Sequence, residues 1–301
     1  MSQREVAKRH MLIRNKLLRT SKGATFAEIA DYLSRQSELD GDNFNISKRT
    51  FLRDIKEIYE IYGIDIQFDR SQKVYYIEND FDKEANNRFF EAFELFNALK
   101  MNEQNRQYIH LEKRQASGTE HLYLLLHAIK NRLQVSFSYQ KYYMEKPEQR
   151  VVNPLILKEF KNRWYLIARK QDDKQIRRYA LDRLSDLETS RVHFPEDTDF
   201  DMDKMYQHCF GVIYPGEIEP QKIVLSFDPF QGNYIKSLPL HETQKILIDN
   251  DKEFRVSLNI YLTQDFIMEV LSYGETVKII EPKSFAEEMK EVYHKALGQY
   301  L

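Results

Sequence analysis

Arg163-Trp164-Tyr165-Leu166-Ile167-Ala168 and, after the polar break Gln171-Asp172-Asp173-Lys174, Ile176-Arg177-Arg178-Tyr179-Ala180-Leu181-Asp182-Arg183-Leu184 form the stretch around which the chain is organised. β-Branched and aromatic side chains dominate both halves, and the break is short enough for a hairpin, so the pattern predicts two antiparallel strands. The two-residue period of a strand puts Arg177, Tyr179, Leu181 and Arg183 on one face and Arg178, Ala180 and Asp182 on the other. The first face offers guanidinium groups beside an aromatic surface. Trp164, the single tryptophan, has apolar neighbours that predict a core position.

Working outward, Leu133 to Tyr139 alternates as a strand whose odd-numbered residues face the core. Before it, Glu120 to Asn131 carries Leu122, Leu125, Leu126 and Ile129 at helical spacing. Asn153-Pro154 introduces a turn constraint ahead of Leu155-Ile156-Leu157. Together these segments resemble the WYL domain of bacterial transcription regulators. Trp164-Tyr165-Leu166 matches its signature tripeptide, and Leu181-Asp182-Arg183-Leu184 is similar to its Leu-Asp-Arg-Ile segment. Phe137-Ser138-Tyr139 and Arg150-Val151-Val152-Asn153-Pro154-Leu155 resemble its Phe-x-Tyr and Arg-x-Val-x-Pro strands, so that four segments occur in the family's order. Ala180 departs from the pattern, standing near a place where many members carry another basic residue; Arg178 is the neighbouring guanidinium. The resemblance implies a small Sm-like β-barrel with an effector-binding surface, for which Tyr139, Arg150, Tyr165, Arg177, Tyr179 and Arg183 are the candidates. Arginine makes paired hydrogen bonds to phosphate and tyrosine stacks on bases, so the expected effector is an anionic nucleotide or a single-stranded nucleic acid.

At 301 residues the chain has material for two or three modest domains. Its 42% hydrophobic and 31% charged residues are those of a soluble globular chain. Polar insertions interrupt every apolar run, and Ser2-Gln3-Arg4-Glu5 is not followed by the apolar segment of a secretory signal, so a cytoplasmic protein with no membrane span is expected. Cys209 is the only cysteine, which excludes an internal disulfide and predicts a packing role. The eight histidines are scattered without zinc-type spacing, so neither metal nor cofactor is expected. A net charge of −2 gives no bulk attraction to nucleic acid and leaves the matter to local basic surfaces.

One such surface lies near the amino terminus. Arg9 to Arg19 has helical apolar spacing, and Thr25-Phe26-Ala27-Glu28 has the chemistry of a capping box for a second helix. Ser47 can cap a third helix whose Phe51, Ile55, Ile58, Tyr59 and Tyr62 point inward. That orientation puts Lys48, Arg49, Thr50 and Arg53 at the early turns of the helix as a candidate DNA-reading surface, with Lys56 beyond. Ile64 to Phe68 and Lys73 to Ile77, around Asp69-Arg70-Ser71-Gln72, read as a hairpin. The segment resembles the winged helix-turn-helix found with WYL domains, particularly through Ile46 to Ile55. Asp82 to Met101 reads as a connecting helix with Phe89, Phe93 and Phe96 on overlapping faces and Phe90 beside them.

After an interrupted stretch from Val192 to Tyr214, strand, helix, two strands, helix, strand and final helix follow, from Ile223 to Leu297. This order, with Leu271-Ser272-Tyr273-Gly274 before Val277-Lys278-Ile279-Ile280-Glu281-Pro282, resembles the compact extension called WCX. The expected fold is therefore α+β: a winged helix-turn-helix over 1–80, a helical linker over 81–119, an effector domain over 120–193, and a ferredoxin-like control or dimerisation domain over 194–301. The resemblance implies a regulator, read here as a repressor, acting as a homodimer on double-stranded DNA with an inverted-repeat operator. WYL regulators sometimes accompany phage-defence genes. An architectural nucleic-acid binder without an effector switch is the noncatalytic alternative. A hydrolase is the catalytic one, but Asp182 and His193 come with no motif that positions a nucleophile or a metal, and no phosphate-cradling glycine loop or HExxH is present.

Overall fold

The computed structural model describes residues 3–20, 22–100, 118–170, 175–197, 200–216 and 218–301, which fall into two compact units within 1–113 and 114–301. In the first, α1 (Gln3–Leu18), α2 (Phe26–Asp40) and α3 (Lys48–Tyr62) precede a hairpin of β1 (Ile64–Asp69) and β2 (Val74–Asp80), and α4 (Lys83–Lys100) follows. The capping box forms: Thr25 Oγ1 accepts from the Glu28 N–H at 3.2 Å, and Glu28 Oε2 accepts from the Thr25 N–H at 2.8 Å. Ser47 Oγ accepts from the Thr50 N–H at 3.2 Å and fixes where α3 begins.

Ile13, Ile29, Leu33, Phe44, Phe51 and Ile58 fill the core beneath the helices, and Phe51 meets Tyr75 of the hairpin edge-on at 4.8 Å. Gly23 secures the other edge of the hairpin. Its φ is +78°, Ala24 bridges Tyr75, and a Cβ at Gly23 would stand 2.6 Å from the Tyr75 carbonyl oxygen. The sequence suggests α4 as a connector, yet Phe90 is buried against Tyr62 at 5.0 Å, with the Arg14 guanidinium 4.9 Å above its ring. Phe93 joins that core while Phe89 and Phe96 are exposed, so the inward stripe of α4 runs through Phe90 and Phe93.

The second unit opens with α5 (Leu122–Lys130), then β3 (Leu133–Tyr139), β4 (Glu148–Phe160), β5 (Arg163–Lys170), β6 (Ile176–Ala180) and β7 (Leu184–His193). These strands make one antiparallel sheet in the order β6-β5-β4-β3-β7. Its edges, β6 and β7, are not paired with each other among the described residues; the sheet is open where the resemblance implied a closed small barrel. Helix α5 covers one face, packing Leu125 and Ala128 on Val135, Phe137, Val152, Leu166 and Ala168. Leu126 is 55% exposed, because Ala128 holds the inward position its spacing suggested for it. On the opposite face Ile156, Tyr165, Ile167 and Ile176 pack against Tyr206 and Cys209, which belong to α6 (Met202–Tyr206) and the segment after it.

The chain then runs through β8 (Gln221–Phe227), α7 (Pro229–Ser237), β9 (Lys245–Asp249), β10 (Phe254–Ile260), α8 (Gln264–Ser272), β11 (Val277–Glu281) and α9 (Lys283–Leu297). The sheet order β11-β8-β10-β9, antiparallel throughout, is the ferredoxin-like split βαβ arrangement. Its core is apolar, with Leu225, Phe227, Val256, Leu258, Phe266, Val270 and Phe285 all buried.

Helix α8 joins this layer to the five-stranded sheet. Lys161 Nζ lies 2.6 Å from Glu269, and Phe210 sits between Phe160 and Phe266 at 5.7 and 5.3 Å. Asp265 Oδ2 accepts from the Val212 and Ile213 N–H groups, each at 2.9 Å, while Arg178 of β6 donates to the Tyr214 carbonyl at 3.1 Å. The loop at 212–214 is thus held by a carboxylate on one side and a guanidinium on the other.

Candidate functional site

Two groups of cations distinguish the molecule, one in each unit. On α3 the buried residues are Phe51, Asp54 and Ile58, which leaves Lys48, Arg49, Arg53 and Lys56 exposed along the outer face. Thr50 is half-buried, and its hydroxyl lies 3.0 Å from Ser47 Oγ, so it takes part in the cap. Arg53 is 3.4 Å from Glu57 of the next turn, a pairing worth little when exposed. Lys48, Arg49 and Lys56 have no side-chain partner among the described residues.

Behind this face α3 is tied to α1 by buried charge. Arg9 donates from Nε to Asp54 Oδ2 at 2.7 Å and from Nη2 to Oδ1 at 2.8 Å, with both side chains fully buried. Burial works against the Asp54 carboxylate, but the nearness of His10 and the hydrogen bonds and charge of Arg9 outweigh it and hold the carboxyl below its usual range. His10 is 1% exposed and points Nε2 at the same place, 3.7 Å from Asp54 Oδ1 and 3.5 Å from Glu57 Oε2. Neither of its ring nitrogens has a hydrogen-bond partner among the described residues. Sequence spacing missed this group because its members come from two helices. Histidine beside Arg9, on a stripe that is otherwise core, was the only signal.

The six effector candidates of the second unit separate in the structure. Tyr139 and Tyr179 lie on the α5 face, edge to face at 5.1 Å, and are almost wholly buried. The Tyr139 hydroxyl accepts from the Ala180 N–H at 3.2 Å. Burial pushes the Tyr139 phenol up, against the opposing charge of Arg183. The Arg183 guanidinium stands over two rings, 5.3 Å from that of Tyr139 and 4.7 Å from that of Tyr142. Tyr142 is exposed and was not among the candidates, since its place in a loop gave no periodicity to read.

Tyr165 belongs to the opposite face with Ile167, though Arg163, Asp182 and Arg183 all act on its hydroxyl electrostatically; burial is the larger influence and raises it. Arg150 is engaged by Glu148, which Lys141 also approaches at 3.7 Å. Arg177 is exposed on β6. Arg163 lies 3.3 Å from Asp182, and its bond to Tyr142 and the Asp182 charge keep it firmly protonated. At the centre, Asp182 Oδ1 and Arg183 Nε are buried and face each other at 4.0 Å, an ion pair too long for a hydrogen bond, and neither has a hydrogen-bond partner among the described residues. A ligand carrying both an anionic acceptor and a donor would satisfy the two. The structure therefore brings Tyr139, Tyr179 and Arg183 together and adds Tyr142, Arg163 and Asp182.

This arrangement describes a protein with a winged helix, an open five-stranded sheet with a polar edge cluster, and a ferredoxin-like layer. The chain contains a WYL domain and a WCX domain: the WYL domain family matches residues 120–189, and the WCX domain family matches residues 219–297. The comparison with curated proteins gave no match. Among solved structures, the chain is similar to proteasome accessory factor B/C (PafBC) of Arthrobacter aurescens at 18% identity and a TM-score of 0.36, covering 94% of this chain and 45% of that one. The chain thus spans less than half of that protein's length. It is similar also to a CRISPR Cas-related protein at 12% identity and a TM-score of 0.38, covering 100% of this chain and 92% of that one. No helix among the described residues is long and apolar enough to cross a membrane.

Proposed function

We propose that this chain is a sequence-specific DNA-binding transcription regulator, a repressor whose operator affinity changes when an anionic effector binds its WYL domain. The observation that carries this reading is the outer face of α3, where Lys48, Arg49 and Lys56 are exposed and, among the described residues, without side-chain partners beside Arg53. Cations held there by a capped helix meet phosphates and base edges when the helix enters a major groove, and each phosphate neutralised releases counterions. The WYL and WCX matches support membership of a DNA-binding regulator family. The reader comprises 1–80, the effector domain 120–193 and the control or dimerisation domain 194–301. As a homodimer the protein reads an inverted repeat whose half-sites lie about 34 Å apart.

The effector reading rests on Arg183 Nε and Asp182 Oδ1, 4.0 Å apart and without hydrogen-bond partners among the described residues, beside the Tyr139 and Tyr142 rings. A nucleotide or a short single strand supplies phosphate for Arg183 and a base for the exposed Tyr142 ring. For the effector to act it must bind one arrangement of the protein better than another. The proposed chemistry is binding without turnover.

Genomic fragments retained by the purified protein, including its own promoter region, test the reading against a Lys48→Ala/Arg49→Ala/Arg53→Ala variant. A compact inverted-repeat footprint lost by the variant is the expected result. Weak, sequence-independent retention that the substitutions leave unchanged removes the amino-terminal assignment. With the operator in hand, operator release is measured with and without short oligonucleotides, and product analysis checks that they are recovered intact.

A further inference from the structure

We propose that His10, Asp54 and Glu57 form a binding site for a divalent first-row transition ion, with Zn2+ as its representative, between α1 and α3. One ligand atom from each lies within 4.8 Å of the others. His10 Nε2 stands 3.7 Å from Asp54 Oδ1 and 3.5 Å from Glu57 Oε2, too far for hydrogen bonds. They are close to the spacing a metal requires: bonds of about 2.1 Å at tetrahedral angles set ligand atoms about 3.4 Å apart.

The imidazole supplies the independent indication. It is 1% exposed with both nitrogens lacking partners, and a buried polar group in that condition calls for something to complete it. Its ring meets Tyr62 edge-on at 6.1 Å, a contact that holds Nε2 toward the carboxylates. Glu57, at 34% side-chain exposure, forms the solvent side and leaves an entry for the ion and for a water as fourth ligand.

Neighbouring cations limit the affinity and orient the ligands. Arg9 bonds Asp54 Oδ2 and shares Oδ1, which keeps a second lone pair, and Arg53 faces Glu57 Oε1 while Oε2 faces His10. Each carboxylate is thus oriented through its other oxygen, as outer partners orient metal ligands. Two guanidinium groups offset the carboxylate charge, so the expected dissociation constant is on the order of micromolar, far from that of a four-ligand structural site. One imidazole with two carboxylates favours Zn2+, Co2+ or Mn2+ over Mg2+ and Ca2+, which prefer all-oxygen sites.

An ion here fastens α1 to α3 and draws Glu57 away from Arg53. The second effect bears on DNA and rests on the function proposed above; the site does not. The full chain, freed of metal with a chelator, is titrated with Co2+ by visible absorption and with Zn2+ by thermal unfolding. One equivalent of Co2+ with saturable d–d bands is expected, and Zn2+ at about 100-fold excess over its dissociation constant should raise Tm by several degrees. His10→Gln and Glu57→Gln should each weaken Co2+ binding about 10-fold or more. Glu57 lies at the half-buried solvent rim, and Glu57→Gln should keep the circular dichroism of the parent, so the test survives if the His10 variant does not fold.

No d–d bands and no Zn2+ effect on Tm, or a cobalt spectrum that both substitutions leave intact, overturns the proposal. Stabilisation by acid alone, without a response to metal, does so as well, since a proton then completes His10. Operator binding is measured separately with and without Zn2+. Cobalt bound at His10 in a protein that retains no DNA refutes the regulator reading and leaves the metal site standing.

Discussion

The cations of α3 and the arginines of the WYL domain are the same chemistry in opposite conditions. Lys48, Arg49 and Lys56 project from a helix face without side-chain partners among the described residues, and Arg53 has only the half-buried Glu57 one turn on. Arg150, Arg163 and Arg169 each face a carboxylate, Arg178 holds backbone carbonyls, and Arg183 lies over two tyrosine rings. An incoming polyanion displaces only counterions from the first group, which gives fast, salt-sensitive association. An anion at the second must replace or join existing partners, which makes geometry the selecting factor. A third condition lies behind α3: Arg9 is fully buried and bonded twice to Asp54.

The largest effect should come from breaking that third condition. Asp54→Asn leaves Arg9 buried without its counter-charge and should cost about 3–5 kcal/mol, read as a lowered urea midpoint of the amino-terminal unit. Glu281→Gln, which breaks the exposed pair with Lys222 at 3.1 Å, should cost about 1 kcal/mol or less. Equal losses would erase the distinction between buried and peripheral pairs. Next, the Lys48→Ala/Arg49→Ala/Arg53→Ala protein should flatten the slope of log K against log salt on DNA by about 2–3, at roughly 0.9 for each phosphate that is no longer neutralised. Arg183→Ala should leave that slope alone; if it changes as much, the two groups of cations act as one.

A smaller effect concerns the single 3-10 turn Leu181–Arg183 between β6 and β7. Gly118 has φ +98°, and a Cβ there would lie 2.6 Å from the Leu181 carbonyl oxygen. Gly118→Ala should cost about 1–3 kcal/mol in thermal unfolding, with the WYL domain rather than the reader losing protection from hydrogen exchange. The smallest effect is expected at Arg183 itself. Arg183→Ala removes the guanidinium from above two rings, about 0.5–1 kcal/mol, and should raise the Tyr139 phenol further, because the positive charge opposing its upward shift is gone. A phenol raised in the folded state contributes stability that is fully present below its unfolded value near pH 10 and is lost as pH rises through the folded value. The alkaline end of the Tyr139 titration, followed by ultraviolet difference absorption, should therefore move upward in the variant.

Strand periodicity, helix caps and the order of motifs were enough to read an α+β chain with a winged helix, a WYL domain and a WCX domain. Thr25, Ser47 and the alternation through Leu133 to Tyr139 act over a few residues, and local hydrogen bonding and side-chain period do not depend on distant parts of the chain. Closure of the five-stranded sheet was not legible in that way, because it depends on whether two edge strands meet. Nor was the inward side of α4, where Phe90 displaced the expected stripe to bury itself against Tyr62. The grouping of Arg183 with Tyr142 and Asp182, and of His10 with Asp54 and Glu57, was likewise decided only by tertiary structure. Sequence period records which face a residue takes on its own element. Which residues of another element stand opposite is set by packing, and the chemistry of both candidate sites arises across those contacts.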